Sequence, residues 1–187
     1  EVVRGRGARG RRARGWIGSP EVGGAFLSVR RQVFIPGVPN ENAYTDQAFP
    51  TEQRDGRAIS STSQPAIMAI MLEQLGLQPG QHVLEIGAGT GYNAALMAHI
   101  VGDSGKVVTM DIDEDIVASA RQHLSEAGFG SVEVICGDGG FGQPDRAPYD
   151  RIIMTVGAWD IAPAWMEQLA TQGRLVLPLS LRRVQKS

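Results

Sequence analysis

The chain has 187 residues, of which 42% are hydrophobic, and a formal net charge of −2. This length suits one sizeable α/β domain and is too short for two. We expect no membrane span and no secretory leader, because no apolar stretch has the length or the flanking residues for either. Cys136 is the single cysteine, which excludes a disulfide within the chain. We therefore expect a cytoplasmic protein in which Cys136 is a small buried residue of a strand.

Six arginines crowd the first fourteen residues among glycine and alanine. We interpret residues 1–20 as a disordered basic arm. Contact with nucleic acid is the alternative for this arm, and the lack of aromatic residues before Trp16 argues against it. The remainder of the chain is acidic, so we expect no nucleic-acid-binding body.

Residues 21–78 are predicted to form a helical cap with a substrate loop. Apolar side chains at helical spacing predict a first helix over 21–33, which the proline-containing stretch after it ends. Residues 40–57 are polar and rich in turn-forming residues, which predicts a loop. A second helix is predicted from Pro65 to about Gly76.

From residue 79 onward, strands and helices alternate. This alternation predicts a three-layer α-β-α architecture with a doubly wound, mostly parallel sheet, which we assign to residues 79–187 as a cofactor-binding domain. The predicted strands cover 82–86, 106–111, 131–136, 150–156 and 174–178, and the predicted helices cover 92–101, 114–127 and 161–171. Because the fifth strand would leave an open edge, we expect C-terminal strands to be missing or a partner to cover that edge.

The stretch HVLEIGAGTGY, residues 82–92, carries the clearest functional pattern. Its apolar strand stops at three alternating glycines, Gly87, Gly89 and Gly91, which let the backbone turn sharply and approach a ligand. The next predicted strand ends in Asp111, in position to accept hydrogen bonds from a pair of ribose hydroxyls. The pattern therefore indicates a cofactor that contains a nucleoside.

Two cofactors compete for this pattern. The glycine run also satisfies the dinucleotide fingerprint, so an NAD-dependent oxidoreductase is one alternative. Glu85, two residues before the first glycine, would repel a pyrophosphate and suits the ammonium group of a methionine. Asp138 and Gly139 follow the third strand, where the acid can accept a hydrogen bond from an adenine amino group. These acids favour S-adenosyl-L-methionine, while turn formation is the alternative role for Asp111 and Asp138.

The glycine motif is preceded by Ser63-Gln64-Pro65 and followed by GDG and GRLVLPL. In this order and spacing, the segments resemble the protein-L-isoaspartate (D-aspartate) O-methyltransferase family over residues 25–179. The resemblance implies a class I methyltransferase fold, S-adenosyl-L-methionine as the cofactor, and a peptide or protein substrate with an isoaspartyl or aspartyl carboxylate. Tyr44-Thr45-Asp46 resembles the family's Tyr-x-Asp, and Val156-Gly157-Ala158 resembles the strand end that lies beside the substrate.

The resemblance is weaker where the substrate should bind. Residues 55–63 read DGRAISSTS, with a longer Ser/Thr run and an added Arg57 in place of the family's Gly-x-Gly-Gln-Thr-Ile-Ser. Trp159 follows Ala158, where the family has smaller residues. Two alternatives to isoaspartate methylation therefore stay open. One is an enzyme that methylates an aspartate of a ribosomal peptide, and the other is a non-catalytic domain that keeps the cofactor fold.

A carboxylate is already ionised at neutral pH, so we expect neither a general base nor a metal. The three histidines are predicted to be surface or boundary residues. Ser63 is the predicted catalytic residue, because its hydroxyl and the free N–H groups of a helix start can hold the substrate carboxylate. The same serine is predicted to be the N-cap of that helix. The residues predicted to contact the substrate are Ser60, Thr62, Gly157 and Ala158.

Overall fold

The computed structural model of the chain describes residues 15–54 and 57–180. Its helices are α1 (Pro20–Ser28), α2 (Asn40–Ala43), α3 (Pro65–Leu75), α4 (Tyr92–Val101), α5 (Glu114–Glu126) and α6 (Pro163–Gln168). Its strands are β1 (Phe49–Arg54), β2 (Arg57–Thr62), β3 (His82–Ile86), β4 (Lys106–Asp111), β5 (Glu133–Cys136), β6 (Tyr149–Met154) and β7 (Leu169–Val176). Neither of the two described ranges contains a helix that is long and apolar enough to cross a bilayer.

Five strands form one parallel sheet in the order β5-β4-β3-β6-β7. Successive side chains of a strand point to opposite faces. On one face, Val83 of β3 belongs to a buried cluster with Phe26 of α1 and Leu72 of α3. On the other face, Leu84 belongs to a cluster with Trp165 of α6. Helices therefore cover both faces, which confirms the predicted three-layer, doubly wound fold, and the cap shares one core with the sheet.

The central strands and the helix between them lie where the sequence predicts them, since β3, α4 and β4 have the predicted bounds. Both strands are almost continuously buried, as expected for parallel strands covered on two faces. Gly102 ends α4 with a φ of 66°, a backbone conformation that favours glycine. Strong local signals therefore determine the centre of the fold.

The first helix is shorter than predicted. It ends at Ser28 rather than at residue 33, and a 3-10 turn over Arg31–Phe34 follows. Val29 has extended backbone angles, yet it is only 1% exposed. Because apolar residues are buried on both sides of the break, apolar spacing alone does not reveal it.

Residues 40–57 were predicted as a loop, which was wrong. They contain α2 and β1, and β1 pairs antiparallel with β2 in a hairpin, with Phe49 opposite Thr62. The hairpin strands are mostly polar, and Pro50 lacks the N–H that a central strand needs. A two-stranded sheet has only edge strands, so it tolerates both features.

Three further corrections concern the ends of elements. Ile17 is 3% exposed and Ser19 is the N-cap of α1, so residues 15–20 belong to the folded part, whereas residues 1–14 of the predicted arm lie outside the described ranges. Cys136 is exposed rather than buried, because it ends β5 at the edge of the sheet. The last helix, α6, is shorter than predicted because β7 already begins at Leu169.

The guanidinium group of Arg31 is buried within the cap, and only 1% of the residue is exposed. It donates hydrogen bonds to the carbonyls of Ala43 (3.1 Å), Thr45 (3.1 Å), Gln47 (3.0 Å) and Ser63 (3.2 Å). A protein is less stable when a buried carbonyl loses its hydrogen-bond donor. One side chain therefore holds the loop of residues 43–47 against the residue that follows β2.

Replacing Arg31 by methionine should keep an apolar stem but remove these hydrogen bonds. We expect the free energy of unfolding to fall by about 2–4 kcal/mol, because buried carbonyls lose their donor. Arg30→Met is the matched control, since Arg30 is exposed and its loss should cost less than about 0.5 kcal/mol. Equal losses in urea titrations of the two variants would contradict this role.

Candidate active site

A cavity of about 240 Å³ opens at the carboxyl ends of β3, β4 and β6. In parallel α/β sheets, ligands bind at this edge. The lining residues come from the end of β2, the glycine loop and the three strand ends, and include Ser60, Ser61, Thr62, Ser63, Glu85, Gly87, Gly89, Thr90, Asn93, Asp111, Thr155 and Val156. The structure therefore brings most of the predicted site residues to one place.

The three glycines of the loop have different structural roles. All three have positive φ, 101° at Gly87, 50° at Gly89 and 84° at Gly91. A Cβ on Gly87 would lie 2.6 Å from the Oγ1 of Thr155, and one on Gly91 would lie 3.0 Å from Leu124. A Cβ on Gly89 would meet nothing within 4 Å. Packing thus requires the outer two glycines, whereas the space beside Gly89 belongs to the cavity.

Asp111 ends β4 and forms part of the cavity wall. Its Oδ2 accepts a hydrogen bond from the N–H of Gly89 at 3.2 Å, and its Oδ1 accepts one from the N–H of Asp113 at 3.4 Å. The carboxylate is therefore held beside the glycine loop. This location is compatible with the predicted contact to ribose hydroxyls. The two hydrogen bonds also stabilise the turns that follow β3 and β4, which is the alternative role of Asp111.

Glu85 belongs to the lining of the same cavity, although the residue is fully buried. Burial raises its pKa to about 7, against the effect of hydrogen bonds from Thr109 and Asn93, which lower it. The hydroxyl of Thr109 donates at 2.7 Å and the amide of Asn93 at 2.8 Å. Both carboxylate oxygens of Glu85 are therefore held by hydrogen bonds from the chain itself.

Asn93 and Thr109 were not predicted as site residues. Asn93 is a polar residue in the otherwise apolar first turns of α4, and Thr109 lies opposite Glu85 in the pairing of β3 with β4. Both signals could have been found in the sequence once the two strands were aligned.

Ser60, Thr62 and Ser63 all line the cavity, as their predicted contact with a substrate requires. The Oγ of Ser60 accepts a hydrogen bond from the hydroxyl of Thr51 at 3.1 Å, which links the two strands of the hairpin. Thr62 is 4% exposed. The side chain of Arg57 lies outside the described part of the chain.

The prediction that Ser63 is the N-cap of α3 was wrong. The N-cap is Gln64, because Pro65 occupies the first helical position. The N–H of Ala66 instead donates a hydrogen bond to Oδ1 of Asp46, at 2.9 Å. A carboxylate therefore already occupies the start of α3, so the N–H of Ala66 is not available to a substrate carboxylate.

Asp138 and Gly139 lie two and three residues beyond Cys136, the residue that pairs with Asp111. Neither lines the 240 Å³ cavity. Oδ1 of Asp138 accepts from the N–H of Gly140 at 2.8 Å, which is the turn role named as its alternative. A Cβ on Gly139 would lie 2.3 Å from a methyl group of Ile86, so close packing requires this glycine. Contact with adenine stays a prediction.

The end of β6 contributes Thr155 and Val156 to the cavity, whereas Gly157 and Ala158 do not line it. Gly157 is exposed, and Ala158 is 5% exposed and bridges to Leu179. Trp159 is 76% exposed. Substrate contact by Gly157 and Ala158 stays a prediction.

The three histidines lie away from the cavity lining. Nδ1 of His123 lies 3.1 Å from the carbonyl oxygen of Thr90, and His82 and His99 lie at a strand start and on α4. Within residues 15–54 and 57–180, no cluster of His, Cys, Asp or Glu side chains could hold a metal ion. The site thus consists of hydroxyls, backbone N–H groups and carboxylates.

Residues 9–187 match the family described as protein-L-isoaspartate(D-aspartate) O-methyltransferase. The protein-L-isoaspartate O-methyltransferase of Thermotoga maritima is 38% identical over 165 residues, which cover 88% of this chain and 52% of the relative. The enzyme of that name from Methanopyrus kandleri is 40% identical over 173 residues, which cover 92% of this chain and 74% of the relative. The chain thus spans about half the length of the Thermotoga maritima relative.

Solved structures show the same similarity. A protein-L-isoaspartate O-methyltransferase with 35% identity has a TM-score of 0.87 and covers 94% of this chain and 55% of its own. A Plasmodium falciparum homologue in complex with S-adenosyl-L-homocysteine has 18% identity and a TM-score of 0.83, over 96% of this chain and 85% of its own, and shows the fold alone. From the family match and the sequence identities, the chain belongs to the protein-L-isoaspartate (D-aspartate) O-methyltransferase family.

Proposed function

We propose that the chain is an S-adenosyl-L-methionine-dependent O-methyltransferase that esterifies the free carboxylate of isoaspartyl residues in damaged peptides and proteins. The observation that carries this proposal is that the Ser/Thr run of β2, the glycine loop and Asp111 line a single cavity. Family membership supports the same activity and cofactor. We also propose the cytoplasm as its compartment, which the single cysteine and the ordinary charge balance favour.

The residues around the cavity suit S-adenosyl-L-methionine. The open space beside Gly89 lets a ligand approach the loop backbone. We assign Asp111 to the ribose hydroxyls, and Asp138 with Gly139 to the adenine amino group. The buried charge of Glu85 would attract the cationic end of the cofactor and would oppose the pyrophosphate of a dinucleotide. This charge argues against the NAD-dependent alternative.

The chemistry demands placement rather than proton transfer. When bound, the cofactor supplies an electrophilic methyl group, which a substrate carboxylate oxygen accepts as the carbon–sulfur bond breaks. Since a carboxyl group with a pKa near 4 is ionised at neutral pH, no residue has to remove a proton. The task left to the chain is to orient the oxygen and to exclude water.

We assign the orientation of the substrate carboxylate to the hydroxyl of Ser63. Ser60 and Thr62 lie beside it on the same cavity wall. Gly157 and Ala158 are the proposed outer contacts of the peptide. Because Asp46 occupies the start of α3, hydroxyl groups rather than helix N–H groups are the proposed donors.

Transfer of radiolabelled methyl groups to isoaspartyl, aspartyl and D-aspartyl peptides of one sequence tests the proposed function. We expect labelling of the isoaspartyl peptide in preference to the aspartyl peptide. Preference for the aspartyl peptide would support tailoring of a ribosomal peptide. Cofactor binding without any transfer would support a non-catalytic domain, and binding of NAD instead would support an oxidoreductase.

Asp111→Ala should weaken the binding of S-adenosylhomocysteine by about 2–3 kcal/mol, because charge-assisted contacts with the ribose hydroxyls are lost. Isothermal titration calorimetry measures the change. Asp103→Ala is the control, since Asp103 is an exposed acid at the opposite end of the sheet, and it should bind as the wild type does. An unchanged dissociation constant for Asp111→Ala would remove this residue from the cofactor site.

Cofactor binding should depend on pH through Glu85. The ammonium group of a bound ligand would stabilise the ionised carboxylate and so lower its pKa from about 7. Below that pH the group must release a proton on binding, so affinity should rise with pH, by up to about tenfold per unit, and level off above about pH 7. Calorimetry with S-adenosylhomocysteine between about pH 5.5 and 7.5 measures the slope.

Glu85→Gln supplies the control for this pH dependence, because its amide has nearly the same shape and does not titrate. At neutral pH, the affinity of Glu85→Gln for S-adenosylhomocysteine should be lower than that of the wild type. This affinity should not change with pH over the measured range. The same slope in both proteins would assign the titration to a group other than Glu85.

Ser63→Ala should reduce turnover about 10- to 100-fold, equivalent to about 1.4–2.7 kcal/mol of transition-state stabilisation. Its stability should stay within about 0.5 kcal/mol of the wild type, because Asp46 rather than Ser63 caps α3. Ser63→Asp should fold, bind cofactor and be inactive, since its charge repels an anionic substrate. Peptide methylation is measured beside thermal unfolding, and an active Ser63→Asp enzyme would place the substrate carboxylate nearer Gly157 and Ala158.

A further inference from the structure

Two segments that are distant in sequence meet immediately beside Ser63. Oδ1 of Asp46 accepts a hydrogen bond from the N–H of Ala66 at 2.9 Å. The backbone carbonyl of Asp46 accepts one from the side-chain amide of Gln64, also at 2.9 Å. Arg31 adds a third connection, since its Nη2 donates to the carbonyl of Ser63. Ser63 and the residues that follow it are thus tied to the segment of residues 43–47.

This arrangement constrains more than a local helix cap would. A serine or threonine N-cap positions a helix start relative to the preceding residue only. Asp46 lies 20 residues before Ala66, so its hydrogen bond positions the start of α3 relative to a separate part of the cap. Asp46 itself does not line the cavity. Its effect on a bound substrate must therefore pass through Gln64 and Ala66.

We propose that Asp46 is a positioning residue for methyl transfer, which holds Ser63 at the distance from the glycine loop that the reaction requires. This inference rests on the proposed function. Misplacement of a reacting group by about 1 Å can reduce a rate about 100-fold without abolishing binding. Loss of Asp46 should therefore act on turnover more strongly than on the affinity for the cofactor, whose proposed contacts lie on β3, β4, the glycine loop and residues 138–139.

Three variants separate positioning from simple helix stabilisation. Asp46→Ala removes the acceptor for the N–H of Ala66, whereas Asp46→Asn keeps an oxygen acceptor at that place. Ser19→Ala is the matched control, because the Oγ of Ser19 accepts from the N–H of Val22 and caps α1, and its hydroxyl also donates to Glu73 near the other end of α3, at 2.9 Å. Asp46→Ala and Ser19→Ala should each lower Tm by about 2–4 °C.

The kinetic results should differ between the two caps. Asp46→Ala should lower kcat for isoaspartyl peptide methylation tenfold or more, with the Kd of S-adenosylhomocysteine within about twofold of the wild type. Asp46→Asn should restore kcat to within about threefold. Ser19→Ala should keep the wild-type kcat. Hydrogen exchange of the backbone from Ser60 to Ala66 should become faster in Asp46→Ala and stay slow in Ser19→Ala.

Each other outcome has a distinct meaning. A normal kcat in Asp46→Ala, or equal kinetic effects of Asp46→Ala and Ser19→Ala, would reduce Asp46 to a stabilising cap and overturn the inference. Parallel losses of kcat and of cofactor affinity would do the same, because they indicate a general disturbance. A wild-type chain that binds cofactor but methylates no peptide would overturn the proposed function and the positioning role with it. Hydrogen exchange would then still show whether Asp46 orders the backbone from Ser60 to Ala66.

Discussion

The burial of one guanidinium group organises the region above the sheet. Arg31 reaches carbonyl groups that lie 12 to 32 residues away in sequence. A buried cation is tolerated only when its hydrogen bonds are satisfied, so these backbone segments have to converge on it. Its guanidinium carbon also lies 5.8 Å from the ring centre of Tyr92, the first residue of α4. The same group thus connects the cap with the helix that follows the glycine loop.

The two halves of the candidate site depend on different kinds of interaction. On the cofactor side, backbone hydrogen bonds of the parallel sheet continue into the loop, where the N–H groups of Gly87 and Ala88 both donate to the carbonyl of Met110. On the side proposed to bind the substrate, hydrogen bonds between side chains and distant backbone groups place Ser63. The first half follows from the topology of the sheet. The second depends on individual side chains such as Asp46.

This difference explains what could be predicted from the sequence. The bounds of β3, α4 and β4 and the convergence of Gly89 and Asp111 follow from apolar runs that end at the same edge of a parallel sheet. The hairpin, the burial of Arg31 and the capping of α3 by Asp46 could not be predicted in this way. They depend on hydrogen bonds between segments whose proximity is known only once the fold is known. The spacing of apolar residues does not indicate these hydrogen bonds.

The exposed thiol of Cys136 gives the chain a single position that thiol-reactive reagents can label. The sequence contains no other cysteine, and this one ends the edge strand β5. It pairs in register with Asp111 and precedes Asp138 by two residues. A thiol-reactive fluorophore attached there would sit at the cofactor end of the sheet without the replacement of any residue. The chain is therefore suited to spectroscopic observation of ligand exchange.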